Sequence, residues 1–176
     1  ILHSLERNKM INRLYEDSIE DQLTGLYNRR GFLSLAKDAI RLMDEPSYHI
    51  LFIDMDKMKD INDDYGHDMG DSALKEASRI LRTSFREGDI ISRYGGDEFI
   101  VFVSSIEDDV IENIKNRIKN TAYQFNNSDS CNYNLGLTIG HAKCDNIKNE
   151  SLQQVINRAD KDMYSNKMKQ LKKRND

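Results

Sequence analysis

The chain of 176 residues contains two cysteines, one proline and no apolar run approaching the roughly 20 residues that a membrane-spanning helix needs. Cys131 and Cys144 lack the close spacing of a metal-binding pair, and two thiols in a cytoplasmic domain stay reduced, so a disulfide framework and a zinc site are both disfavoured. No basic segment followed by a short apolar one marks a signal peptide. Positive charge is not in excess: 26 Lys and Arg stand against 30 Asp and Glu, a net charge of -4 with the signs interspersed. A duplex-binding basic surface is therefore disfavoured, although a local cluster can still hold phosphates. Internal repeats and low-complexity segments are also absent. What is present is enough apolar residues for one core in one domain. The chain begins at Ile1 rather than Met, which reads as a piece cut from a longer protein or as a processed chain, and any upstream sensor or membrane segments would then lie outside it.

Along the chain, residues 1–20 are charged and proline-free, with Leu2, Leu5, Ile11, Leu14 and Ile19 as apolar positions but no clean heptad. They read equally as a solvated helical linker or a dimerising signal helix; residues 21–176 read as the folded domain. Asn28 can cap a helix to about Met43, which Asp44-Glu45-Pro46-Ser47 breaks. Tyr48-His49-Ile50-Leu51-Phe52-Ile53 is apolar nearly throughout, as a strand covered on both faces should be, and delivers Asp54 to its C-terminal end. A short helix near Lys57 to Asp63, a Gly66 to Gly70 turn and a helix from Ser72 to about Phe85, with Asp71 as N-cap, are expected next. A hairpin follows, then a helix from Ser105 to Asn126, a strand from Tyr133 to His141 and a last helix from about Ser151. This order predicts an α/β sandwich with a central, mainly antiparallel sheet flanked by helices.

The hairpin carries the chemistry. Ile90-Ile91 and Ile100-Val101-Phe102-Val103 flank a tip in which Gly95 and Gly96 precede two adjacent carboxylates, Asp97 and Glu98. The glycines are expected to supply the positive φ of a tight turn and to clear space for a ligand. The two acids repel each other, and a divalent metal or a cationic partner is the natural compensation.

Gly95-Gly96-Asp97-Glu98-Phe99 spells the signature of the GGDEF domain, and the chain resembles that family, whose usual activity is diguanylate cyclase. Three further segments agree in order and spacing: Asp21 to Phe32 resembles the entry signature D-x-L-T-G-L-x-N-R-R-x-F, Asp54 to Asp71 the metal, phosphate and guanine segment, and Ala159 to Lys167 the closing helix. The resemblance implies a palm-like nucleotidyl cyclase fold that condenses two GTP into cyclic di-GMP and two pyrophosphates. It implies two Mg²⁺ or Mn²⁺ ions per active site, held by Asp54, Asp97 and the Met55 carbonyl, with Glu98 as a metal-side or base-like carboxylate. Gly95 and Gly96 belong to the catalytic tip, and Arg93 just before it is a candidate for stabilising transition-state charge. Lys59 and Lys167 match the phosphate-holding lysines, and the Lys57-Met58 turn can cradle phosphates with backbone N–H groups. Asn62 and Asp71 match the guanine-reading pair; a carboxylate accepts from guanine N1–H and N2–H₂, whereas adenine offers an acceptor there. Arg86-Glu87-Gly88-Asp89, five residues before Gly95, is similar to the family's inhibitory product site, with Arg117 as a secondary contact. Since each domain holds one GTP, the implied enzyme is a homodimer inhibited by its own product, with an upstream sensor and no nucleic-acid partner.

The chain departs from the family pattern in two places. Met58 replaces a usual phenylalanine, a volume-tolerant change. After Lys167 the usual x-x-G-R-N is absent: Leu171 stands where a phosphate-binding arginine often lies, with Lys169 or Lys172 as stand-ins. The rival reading is a catalytically idle GTP or cyclic di-GMP sensor, which the intact Asp54, Asp71, Asp97 and Glu98 argue against. A template-directed polymerase palm lacks the length and basic channel here. His67 reads as a structural donor in its turn, and His3, His49 and His141 as non-catalytic, without a partner pattern.

Overall fold

The computed structural model describes residues 19–43, 47–104, 107–128, 132–147 and 149–175. Its elements are β1 (Tyr27–Asn28), α1 (Arg29–Arg41), β2 (Tyr48–Asp56), α2 (Met58–Tyr65), α3 (His67–Ser84), β3 (Ile90–Arg93), β4 (Glu98–Ser104), α4 (Asp108–Asn126), β5 (Gly136–Cys144) and α5 (Leu152–Asn175). The sheet order is β1-β3-β4-β2-β5. Every pairing is antiparallel except the two-residue β1 against β3. No helix among the described residues is long and apolar enough to cross a membrane.

The period-2 alternation of β2 explains the layers. Leu51, Ile53 and Met55 pack with Ala77, Ile80 and Leu81 of α3 and Ile114 and Ile118 of α4. Tyr48, Ile50 and Phe52 pack on the opposite face with Phe32 of α1 and Val155, Ala159 and Met163 of α5. β2 is thus buried on both faces, as its apolar run requires, and opens to solvent only near Asp56.

β5 is an edge strand, and its free polar groups are covered by α5 rather than left open. Arg158, Asp162 and Asn166, four residues apart, line one face of the helix. Arg158 donates to the Lys143 carbonyl at 2.5 Å, Asp162 accepts from His141 N–H at 2.9 Å, and Asn166 donates to the Ile139 carbonyl at 3.0 Å. The close approach depends on Gly140, where a Cβ would run into the backbone of Ala159 and Met163.

Several boundaries differ from the sequence expectation. α3 begins at His67, not Ser72, so Asp71 sits inside the helix instead of capping it. Gly66, at φ +86°, separates α2 from α3 by itself, and Gly70 is helical and buried. β5 starts at Gly136, because Asn126 clamps Leu135 through both backbone groups, at 2.8 and 3.0 Å, before the ladder begins. β1 is too short to carry a sequence signal. α4 starts at Asp108, Ser105 lying outside the described residues, as do nearly all of the N-terminal segment and Cys131. Cys144 is a buried free thiol.

His49 and His141, which show no pattern in the sequence, pair with each other. His49 Nδ1 lies 2.9 Å from His141 Nε2 and the rings stack at 5.2 Å. Burial, with Lys115 and His49 beside it, lowers the His141 pKa to about 4, against the opposing pull of Glu112 and Asp162. The unfolded chain protonates this residue near pH 6.5, before the folded one does, so its contribution to stability is complete above that pH and is lost as pH falls toward 4. The urea midpoint is expected to drop between pH 7 and pH 4.5, and to drop less in His141→Gln; an equal drop in both would assign the loss elsewhere.

Candidate active site

The end of β2 and the tip of the β3–β4 hairpin are fastened together by backbone. Asp54 and Glu98 are cross-strand partners. Met55 N–H donates to the Asp97 carbonyl at 3.0 Å, and Tyr94 and Gly95 N–H both donate to the Glu98 carbonyl. Neither tip glycine has positive φ, contrary to expectation. Gly95 is needed for space instead, since a Cβ there would meet the Glu98 carboxylate.

Arg93 braces this tip. Its Nε and Nη2 donate to the Gly96 carbonyl at 3.0 and 2.7 Å, and its Nη1 donates to the Asp21 carboxylate at 3.2 Å. Asp21 in turn accepts from the backbone N–H and hydroxyl of Thr24, at 2.9 and 2.7 Å, inside a turn closed by Gly25 at φ +66°. The guanidinium offered by the sequence as a charge stabiliser is therefore engaged in positioning the tip.

Carboxylates crowd the strand end. Burial raises the pKa of Asp54, and Asp97 and Asp56 push it further, while Lys167 on α5 opposes them through an ion pair with Asp54. Glu98 is raised by burial and by Asp54, Asp97 and Asp160. Burial works to lower the Lys167 pKa, but Asp54, with Asp56 and Asp97 behind it, holds the ammonium above its usual value. Asp56 was missed in the sequence. It accepts from the Thr138 hydroxyl at 2.6 Å and fills the space that a Cβ at Gly136 would need. The D-M-D spacing, two carboxylates on one strand face, was its only available signal.

This donor set suits a hard divalent cation. Among the described residues no group of three His, Cys, Asp or Glu side chains forms a ready cage. Mg²⁺ does not require one, because it is typically held by one or two carboxylates together with water and substrate phosphates. Asp54, Asp97 and the Met55 carbonyl would provide that number of protein ligands, in a region where one lysine faces several acids.

Beside the tip opens a cleft of about 490 Å³ between the hairpin and α2–α3, within the range of small-molecule sites. Its lining brings together the predicted Met58, Lys59, Asn62, Asp71, Arg93, Gly96 and Asp97, and adds His67 and Asp63. Lys57 enters α2 with φ +57°, a left-handed conformation that costs of order 1–3 kcal/mol and clusters at ligand sites. Gly70 stands against the Asn62 carboxamide, and a Cβ would occupy the same space. Lys169 does not line this cleft; it borders a separate hollow with Lys115 and Lys119.

The Arg86/Asp89 pair sits at the other end of β3 from the tip. The Arg86 guanidinium lies 3.3 Å from the Asp89 carboxylate, whose side chain is only 3% exposed and whose pKa is raised by burial. Arg86 also donates to the Ser104 carbonyl, and Arg117 to that of Ser84. The three predicted residues thus share one end of the sheet, with both arginines held on backbone carbonyls.

A twisted, mostly antiparallel sheet with acids at a strand end and a hairpin tip, backed by helices on both faces, defines a palm-like nucleotidyl cyclase domain. The sequence pattern described as "Diguanylate cyclase, GGDEF domain" matches residues 18–173, and the chain belongs to that family. It is 29% identical over 93% of its length to Diguanylate cyclase DgcM of Escherichia coli, covering 40% of that protein. It is 30% identical over 89% of its length to Diguanylate cyclase A of Treponema denticola, covering 43% of that protein. The chain thus spans about two fifths of these relatives. Its fold is similar to the coiled coil and GGDEF domain of DgcB from Caulobacter crescentus, solved in complex with c-di-GMP, with a TM-score of 0.82 at 22% identity, over 95% of this chain and 90% of the other.

Proposed function

We propose that the chain is a diguanylate cyclase domain that joins two GTP molecules into cyclic di-GMP and releases two pyrophosphates. The observation that carries this reading is the junction of two features: the cleft bearing Lys59, Asn62 and Asp71 opens directly onto Asp97 at the hairpin tip. Asn62 and Asp71 bind the guanine edge, Asp71 accepting from N1–H and N2–H₂. Lys59, the Lys57-Met58 backbone and Lys167 hold the triphosphate. Asp54, Asp97 and the Met55 carbonyl would hold divalent ions, which supply Lewis-acid neutralisation of the α-phosphate and the leaving pyrophosphate. Glu98, across the ladder from Asp54, takes the proton of the attacking 3′-hydroxyl as its oxygen bonds to the α-phosphorus and the bond to pyrophosphate breaks. One chain presents one such cleft, so the two nucleotides meet across a homodimer. Arg86 and Asp89, with Arg117 beside them, are the candidate product-inhibition site; to receive a guanine edge, the buried Asp89 must exchange its Arg86 partner for the ligand.

The test is incubation of nucleotide-stripped protein with GTP and Mg²⁺ over a protein concentration series, following pyrophosphate and dinucleotide by chromatography. Cyclic di-GMP formed at a rate rising faster than linearly with protein supports the dimeric cyclase. Tight GTP binding with no product at any concentration would leave a sensor. Gly70→Ala supplies a sharper check of the guanine pocket. The added methyl displaces the Asn62 carboxamide, and loss of one hydrogen bond at about 1–2 kcal/mol should raise KM for GTP roughly 5- to 30-fold with little change in kcat.

A further inference from the structure

Where α4 and α5 flank the edge strand β5, they leave a hollow of about 310 Å³, at the lower end of the range for small-molecule sites. It shares no lining residue with the active-site cleft, and Arg117, on the same helix, reaches the Ser84 carbonyl instead. The helical period builds its first wall. Ile111, Ile114 and Ile118 bury one face of α4 in the core, which leaves Glu112, Lys115 and Lys119, at i, i+3 and i+7, on the flank that borders β5. Leu137 and Ile139, alternate residues of β5, make an apolar floor that is 8% and 7% exposed. Asn166 fixes the α5 wall by donating to the Ile139 carbonyl at 3.0 Å, and that wall adds Gln170 and a third ammonium, Lys169.

The charge in this hollow is unbalanced. Three lysines share it with one carboxylate, which leaves two positive charges over in a chain whose net charge is -4. Lys115 donates to Glu112 at 2.7 Å, with a side chain only 16% exposed. Among the described residues neither Lys119 nor Lys169 has an acid within ion-pairing distance. Both α4 lysines hold the Glu112 pKa below its usual value, the hydrogen bond from Lys115 most strongly, and the two ammonium groups, four residues apart on one helix, repel each other. We infer that the hollow is a binding site for a phosphoryl dianion, an inference independent of the cyclase reading. Such a ligand brings the two missing negative charges, and lysine ammonium groups hold phosphate as point charges. Gln170, whose carboxamide oxygen lies 3.3 Å from the Thr138 hydroxyl, can turn its NH₂ group to a phosphate oxygen. The apolar floor accommodates the carbon body of a phosphate ester. Thr138 also donates to Asp56 at 2.6 Å, so the hollow adjoins the acid cluster at the end of β2 through this one residue.

Backbone-amide NMR of the full chain, titrated with inorganic phosphate and separately with phenyl phosphate at constant ionic strength, tests the site without metal or nucleotide. Saturable shifts are expected at Lys115, Lys119, Leu137 and Gln170, and chloride at the same ionic strength should reproduce none of them. Lys115→Gln with Lys119→Gln should weaken binding about tenfold or more, since two of the three ammonium groups are lost. Glu112→Gln should act in the opposite direction and tighten binding several-fold, because it removes the opposing carboxylate and releases Lys115. Melting temperatures and the unchanged remainder of each spectrum establish that both variants keep the fold. Tighter binding of phenyl phosphate assigns the site to a phosphate ester, and equal affinity assigns it to free phosphate. Shifts that grow linearly without saturating, that chloride reproduces, or that stay confined to Lys59 and the cleft would overturn the site. An affinity indifferent to Glu112→Gln in a folded variant would do the same, because the charge balance of the hollow would then play no part.

Discussion

Replacing Asp97 with asparagine is expected to cut cyclic di-GMP formation by on the order of 10³-fold, the scale seen when a group that stabilises transition-state charge is removed, without unfolding the domain. The separation of the two effects follows from how the tip is built. Asp97 holds the structure through its backbone carbonyl, which accepts from Met55 N–H, and the tip is braced through Gly96 by Arg93. Its carboxylate instead adds repulsion, pushing up the pKa of both Asp54 and Glu98. Removing that charge relieves both neighbours, so thermal stability measured without metal should stay level or rise while turnover collapses, the exchange of stability for function expected where like charges are gathered. Asp97→Asn that retained activity within tenfold would remove Asp97 from the chemistry. A fall in melting temperature of several degrees would show instead that the side chain is part of the scaffold.

The parts of this molecule legible in the sequence were those whose cause is local. β2 announced itself because both faces are buried, and the hairpin because two β-branched and aromatic runs enclose glycines and acids. The α1 cap was legible because Asn28 bonds Gly31 N–H three residues on. Glycine was read less well, because residue type does not say which freedom is in use. Gly66 uses its positive φ, whereas Gly70 and Gly95 use only the absence of a Cβ, and that misreading moved the start of α3 by five residues. Contacts set by strand register were not legible. Arg93 reaches Asp21 across 72 positions, Thr138 reaches Asp56 across 82, and His49 meets His141 across 92. Each depends on which strands lie side by side, which no local pattern records.

Gly140→Ala is expected to destabilise the fold by about 3 kcal/mol and to impair catalysis as well, although Gly140 touches no part of the site. Its backbone does not require glycine, since φ there is not positive; the constraint is the helix above it. A methyl group would strike the Ala159 carbonyl and lie 2.6 Å from Met163 Cα, and backbone cannot swing aside as a flexible side chain does. α5 must therefore lift from β5, straining the three edge bonds made by Arg158, Asp162 and Asn166. Lys167 lies one turn beyond Met163, so the same displacement draws the ammonium away from Asp54 and leaves the crowded carboxylates without it. At roughly 2–4 °C per kcal/mol for a domain of this size, the melting temperature should fall by about 6–12 °C. If Lys167 is carried by the seating of α5, activity measured well below that temperature should drop together with affinity for the triphosphate, and the two losses should track each other in Gly140→Ala and Lys167→Ala. Full activity at low temperature with lowered stability would mean that the lysine finds Asp54 whether or not the helix sits flush on β5.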